Sequence, residues 1–298
     1  MHPVTIENEF IRMEVWPQVG GKVSSIIDKT DNFELMFNVP GELPDAPYYD
    51  VPYNDHWYSG WDECFPAIAP SEYPRHPYEG TKVPDHGELW GIPVTTAVPT
   101  KDGITVIWHG LRFGYRLSRK LYLDGRSVVA EYQLSNLSPF EFRFVWAMHA
   151  LLSPASPVVL DCGHQKSYRY SHDMGGNDMN MQFQWPNLVS GESLARPSEL
   201  PPKRGWKAFS NDPISSAFQI SYPQRNRSVK LEYSSEDGLP AYWGVWINTA
   251  PSPNSGTFAI EPTTGRFDQI DRAIKDGSAG QVGSFGKRMW SVRWTLAS

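Results

Sequence analysis

The stretch "PDHGELWG", residues 84–91, sets an imidazole (His86), a carboxylate (Glu88) and an indole (Trp90) at alternate positions around Gly87. On an extended chain alternate side chains share a face. The spacing therefore predicts one wall carrying all three groups, and Gly87 lets the backbone approach a ligand closely. Such a wall suits a polyhydroxylated ligand: an indole covers the apolar C–H face of a sugar, and polar groups bind its hydroxyls. The same residues also suit a core edge.

Three further places carry chemistry. In "FEFRFVWAMHALL" Phe142, Phe144, Trp146 and Met148 alternate with Arg143, Val145, Ala147 and His149, as on one strand. A histidine so placed is either a satisfied core residue or, with its pKa lowered by burial, a neutral ring that donates one N–H. In "TFAIEPTTGRFD" an apolar run meets Glu261. A partly buried carboxylate there serves as a general base near neutral pH, or else caps a turn before Pro262. Arg266 and Asp268 follow within reach of the same site. In "GWDECFP", Asp62 and Glu63 beside Trp61 are hydroxyl binders or a loop ion pair.

These groups need strands to hold them. Period-two alternation marks "FIRMEVWP", "RSVVAEYQLSN", "SVKLEYSS" and "MWSVRWTL" as half-buried strands. The Asp-Gly pair in "YLDGRSVV" marks a hairpin. Short helical turns are expected near residues 193–199 and 269–274. Residues 40–84, 168–207 (with "MGGNDMNMQ") and 277–286 read as long loops, which are uncommon unless they wall a site. The class is all-β, with 1–298 as a single domain.

Several functions are excluded. A net charge of −6 without a basic stripe argues against nucleic acid. No apolar run approaches the ~18 residues of a membrane span. Two cysteines are too few for a disulfide framework. With no basic, apolar leader at the N-terminus, a cytoplasmic monomer or homodimer is expected. "GSAGQVGSFG" misspaces the glycines of a dinucleotide fingerprint, and H-E-x-x-H, C-x-x-C, G-x-S-x-G and P-loop patterns are missing. His86 and Glu88 lack a third metal ligand at a fixed spacing. Neither cofactor nor metal is expected.

In order, "DHGELWG", "YQLSNLSPFEFRFVWAMHALL", "FAIEPTTGRFD" and "GKRMWSVRWTL" resemble the aldose 1-epimerase (galactose mutarotase-like) family across nearly the whole chain. Leu134 and Asn136 match its L-x-N element, with His149 where its second histidine belongs. The resemblance implies a β-supersandwich of large antiparallel sheets with a sugar site on one concave face. It implies that Glu261 takes the anomeric proton, His149 protonates the ring oxygen and His86 polarises it. The acids Asp62, Glu63 and Glu88, with Trp61, Trp90 and Arg266, would bind substrate, and a neutral sugar fits this acidic setting best. The readings are thus a mutarotase, a sugar lyase or isomerase on the same fold, and a carbohydrate-binding protein without turnover.

Overall fold

Alternation becomes burial along the expected strands. Ile11–Trp16 buries Ile11, Met13 and Val15 and exposes Arg12. Ser127–Asn136 buries Val128, Ala130, Tyr132 and Leu134. The computed structural model describes residues 2–39, 45, 48–57, 59–153, 157–173, 181–249 and 256–297. Its strands form two large antiparallel sheets. One runs, in spatial order, Val4–Glu7, Ile11–Trp16, Lys22–Asp28, Trp61–Cys64, Ala147–Leu152, Phe258–Thr263, Tyr242–Asn248, Gly205–Ser210, Ser167–Asp173 and Gln182–Gln184, with Phe33–Glu34 paired to Lys22–Asp28. The other runs Val159–Asp161, Phe218–Tyr222, Arg227–Ser234, Lys287–Ala297, Ser127–Asn136, Tyr115–Asp124, Gly103–His109 and Thr96–Pro99. This is the all-β sandwich of large antiparallel sheets.

The hairpin forms at the Asp-Gly pair. Asp124 opposes Ser127, and the two-residue loop places Gly125 at φ +55°, the positive φ that tight hairpin turns demand. The helical turns appear as a 3-10 turn, Pro197–Glu199, and the α-helix Ile270–Asp276. The long loops are shorter than expected. Residues 40–84 contain the 3-10 turn Tyr53–Asp55 and the strands Trp61–Cys64, Ser71–Glu72 and Lys82–Val83. Residues 168–207 contain most of Ser167–Asp173 and all of Gln182–Gln184, and residues 277–286 contain Gly280–Val282. Residues 40–44, 46, 47, 58 and 174–180 of those stretches, the last covering most of "MGGNDMNMQ", lie outside the described residues.

The run ending at His149 is two strands, not one. Phe142–Phe144 pairs with Gly280–Val282, whereas Ala147–Leu152 enters the larger sheet. At the break, Val145 N donates to the Pro66 carbonyl and Trp146 N to Thr264 Oγ1. The ladder bonds of both residues are diverted, and the chain steps between sheets.

A fully buried ion pair crosses the apolar layer between the sheets. Glu63 sits 2.8 Å from Arg119 of the facing sheet and accepts from Trp61 Nε1 (3.0 Å), Tyr132 OH (2.8 Å) and Trp146 Nε1 (2.7 Å). Trp61 stacks on Trp294, ring centroids 5.8 Å apart, in the same layer. Both cysteines are buried free thiols. Among the described residues no helix is long and apolar enough to cross a membrane. Removing one partner of a buried pair strands the other, at roughly 3–5 kcal/mol. Glu63→Ala and Arg119→Ala are each expected to lose that much stability in urea unfolding, and a loss below 1 kcal/mol, on the order of a surface ion pair, would show that the pair does not tie the sheets.

Candidate active site

Strand register assembles the candidate site on the face of the larger sheet turned away from Glu63. Trp61–Cys64 opposes His149 with Asp62. On its other side, Ala147–Leu152 opposes Ala147 with Thr263 and Leu151 with Ala259, which sets His149 across from Glu261. Glu261 opposes Gly244 on the next strand, and Trp246, two residues on, opposes Lys207. Alternation then puts Asp62, His149, Glu261, Trp246 and Lys207 on one face.

A cleft of about 370 Å³ lies over this face, within the roughly 300–1,000 Å³ of small-ligand sites. His149, Leu151, Lys207 and Trp246 form its floor, and the segments 53–54, 68–69 and 85–86, with Asp268, form its walls. Tyr53 stacks on His86 at 3.8 Å between ring centroids, tilted by 15°. Its hydroxyl donates to Asp62 Oδ2 (2.8 Å), and its N–H to Asp85 Oδ2 (3.1 Å). Asp85 Oδ1 lies 2.9 Å from His86 Nδ1. The His86 and His149 rings meet edge to face, 5.0 Å apart. On the far side, Ser171 Oγ donates to Asp268 Oδ2 (2.6 Å), while the Asp268 carbonyl accepts from Ile68 and Ala69 N–H at 2.9 Å each.

Glu261 is fully buried behind that floor. Lys207 Nζ is 2.5 Å from its Oε2 and 3.6 Å from Asp268 Oδ1. The other oxygen, Oε1, has no hydrogen-bond partner among the described residues and lies 3.9 Å from His149 Nε2. Burial pushes the Glu261 carboxyl above 4.5, and the Lys207 ammonium offsets only part of that rise. Burial opposes the charge on Lys207, but Glu261 and Asp268 outweigh it, so Lys207 stays an ammonium. Burial, aided by His86, Lys207 and Lys22, holds His149 well below 6.5 and hence neutral. Burial works against the charged form of Asp85 too, but the bonds from His86 and Tyr53 N–H prevail, and its carboxyl lies below 3.8.

The structure brings Glu261, His149 and His86 together. The predicted wall of His86, Glu88 and Trp90 does not form, because the chain turns instead of extending. His86 and Gly87 have φ of +57° and +76°. Gly87 bridges to Phe65, where an added Cβ would lie 2.1 Å from the carbonyl oxygen. His86 therefore faces the cleft. Glu88 is buried elsewhere, accepting from Tyr115 OH (3.0 Å), Arg112 N (3.0 Å), Tyr49 OH (3.2 Å) and Leu111 N (3.3 Å). Trp90 braces Tyr53 edge-on at 5.0 Å and donates Nε1–H to the Asp85 carbonyl.

Four other expected sugar binders are also absent from the cleft lining. Asp62 is buried against Lys22 and holds the Tyr53 hydroxyl. Glu63 and Trp61 lie between the sheets. Arg266 is held by Asp276 at 2.7 and 3.2 Å and donates to the Asn211 carbonyl. Sequence reasoning missed Tyr53, Asp85, Trp246 and Lys207. Lys207 left a signal: it is a lysine inside "GWKAFS", a strand buried along all six residues.

Two outcomes follow. Gly87→Ala meets both the Phe65 carbonyl and a disfavoured φ, and is expected to lower stability by at least about 2 kcal/mol in thermal unfolding; an unchanged Tm would contradict the described turn. His149 has a folded pKa below its unfolded 6.5, so the unfolded chain binds the extra proton. Its contribution is complete above pH 6.5 and falls by up to about 1.4 kcal/mol per unit below it. Urea titrations at pH 5.5 and 7.5 are expected to show a larger acid loss for the wild type than for His149→Gln, and equal losses would refute a buried neutral ring.

No protein-family model matches the chain, and no curated protein sequence matches it. Solved structures do. A galactose mutarotase-like protein from Lactobacillus casei superposes with a TM-score of 0.72 at 14% identity, covering 99% of this chain and all of the other. A galactose mutarotase related enzyme from Lactobacillus acidophilus gives 0.71 at 13% identity, covering 99% and 97%. A galactose mutarotase-like protein from Clostridium acetobutylicum gives 0.67 at 14% identity, covering 99% and 95%. With 99% of this chain covered in each superposition, the chain has the galactose mutarotase-like fold.

Proposed function

We propose that the protein is a mutarotase that interconverts the α and β anomers of a neutral aldose by opening and closing its ring. One observation carries this reading: a carboxylate buried behind the cleft floor, with a spare oxygen, Glu261 Oε1, lies 3.9 Å from His149, which lines the cleft together with the Asp85–His86 pair. Mutarotation needs a base at the anomeric hydroxyl and an acid at the ring oxygen, two atoms on one carbon. Glu261 takes the hydroxyl proton as the carbonyl forms and the bond from the anomeric carbon to the ring oxygen breaks. The ring oxygen takes a proton from His86. Rotation about the next carbon–carbon bond and the reverse transfers close the other anomer.

The charges divide the histidines differently from the family resemblance. His149 is held neutral, so it serves as a hydrogen-bond donor rather than the carrier of a full positive charge. The Asp85 carboxylate compensates such a charge on His86. Three carboxylates in or behind the cleft, Asp85, Asp268 and Glu261, face one ammonium, Lys207. That excess disfavours phosphorylated or acidic sugars and supports a neutral polyol with hydroxyls for the carboxylates to accept.

A second reading has its own observation. Glu261 is fully buried and Lys207 stands before it, as in a carbohydrate-binding protein without turnover. Saturation transfer between anomeric protons of glucose, galactose, xylose, arabinose, rhamnose and fucose separates the two. Exchange above the spontaneous rate is expected for at least one sugar, falling roughly 10²–10⁴-fold in Glu261→Gln, measured at a temperature where unfolding shows that variant still folded. Sugar binding that raises Tm with no exchange in any of the six would establish the binder instead.

A further inference from the structure

The cleft does not end at Asp85. Segments 53–54, 68–69 and 85–86 wall it, and the same three segments run on as 50–52, 70–72 and 82–84 to enclose a second depression of about 500 Å³, with Asp85 lining both. Asp50, Lys82 and Pro84 are shared in turn with a third depression of about 450 Å³, which reaches Tyr49 and Arg112. Each concavity is at least as large as the cleft that would hold one sugar ring.

We infer that this groove binds the further units of a neutral oligosaccharide whose reducing-end sugar occupies the cleft. The inference rests on the proposed mutarotase reading, which requires a free anomeric carbon at Glu261 and so fixes which end enters. The lining fits hydroxylated rings. Asp50 and Glu72 are exposed acceptors, Lys82 is an exposed donor, and the exposed rings of Pro52 and Pro70 offer apolar surface for C–H faces. Two cations, Lys82 and Arg112, against four carboxylates, Asp50, Glu72, Glu79 and Asp85, do not suit a polyanion.

The walls are also held in place before any ligand arrives. Ser71 pairs with Val83 and Glu72 with Lys82 in a small two-stranded sheet. Tyr73 OH donates to the Arg143 carbonyl and accepts from Arg143 N–H, at 3.0 and 2.9 Å. The Asp268 carbonyl fixes residues 68 and 69. A preformed groove lowers the ordering cost of binding a long ligand.

The test compares glucose, maltose, maltotriose, cellobiose and cellotriose by anomer exchange and by NMR titration. One linkage series is expected to gain roughly tenfold in affinity from mono- to trisaccharide, the return of two or so extra hydrogen bonds. Exchange on that series should show a matching fall in KM with kcat little changed. Glu72→Ala removes an acceptor, and Ser71→Trp fills the groove; each should erase the gain and leave glucose exchange as it was. Glucose exchange with no gain along either series would overturn the groove and spare the mutarotase. Absence of exchange on every sugar would overturn the mutarotase. In that case the titrations still decide the groove: tighter trisaccharide binding lost in both variants keeps it, and equal affinities reject it.

Discussion

Every carboxylate buried in this sandwich has to meet a cation or several hydrogen-bond donors within its own layer, and that requirement organises the site. Adjacent residues of one strand, Asp62 and Glu63, point to opposite faces, so each needs a separate solution. Glu63 reaches Arg119 across the apolar layer. Asp62 takes Lys22 and the Tyr53 hydroxyl. Glu261, two strands away on the Asp62 face, takes Lys207. Burying such pairs is costly, and breaking one costs more. The consequence is positional: Asp62 holds the tyrosine that stacks on His86, and Lys207 holds the glutamate beside His149.

How much of this was legible depends on where the chain stays extended. Alternation located the strands that build the layers, because a half-buried strand must repeat every two residues. The Asp-Gly hairpin and both helical turns left local signals of their own. Glu261 and His149 each stood out in an apolar strand where a charge or an imidazole needs a reason, but it was the family resemblance that grouped them. The reading failed at His86–Gly87, where two positive φ angles turn the chain. Period-two logic assigned Glu88 and Trp90 to the cleft, and the turn sent them elsewhere. It failed too in "FEFRFVWAMHALL", where an unbroken alternation hides a step between sheets. Asp62 and Glu63 came out as the ion-pair alternative. No local pattern could show that their cations, Lys22 and Arg119, stand 40 and 56 residues away.

Lys207 sets the character of the candidate site. A glutamate buried without a cation would remain protonated to high pH and would be useless as a base. A glutamate paired on both oxygens would have no acceptor left. Here one oxygen is paired and the other is free among the described residues, in a setting where burial and the ammonium pull the carboxyl in opposite directions. The neighbouring histidines differ for the same electrostatic reason: one has a carboxylate at its ring nitrogen, the other has cations and low polarity around it.

The most direct test of this account is the pH profile of anomer exchange in the wild type and in Lys207→Met, on the best sugar. Lys207 draws the Glu261 carboxyl downward, so removing it should let burial act unopposed. The account predicts an acid limb displaced to higher pH in Lys207→Met, with exchange recovering as pH rises. An acid limb at the same pH in both proteins would contradict it, because Glu261 would then not be the base that Lys207 holds ready.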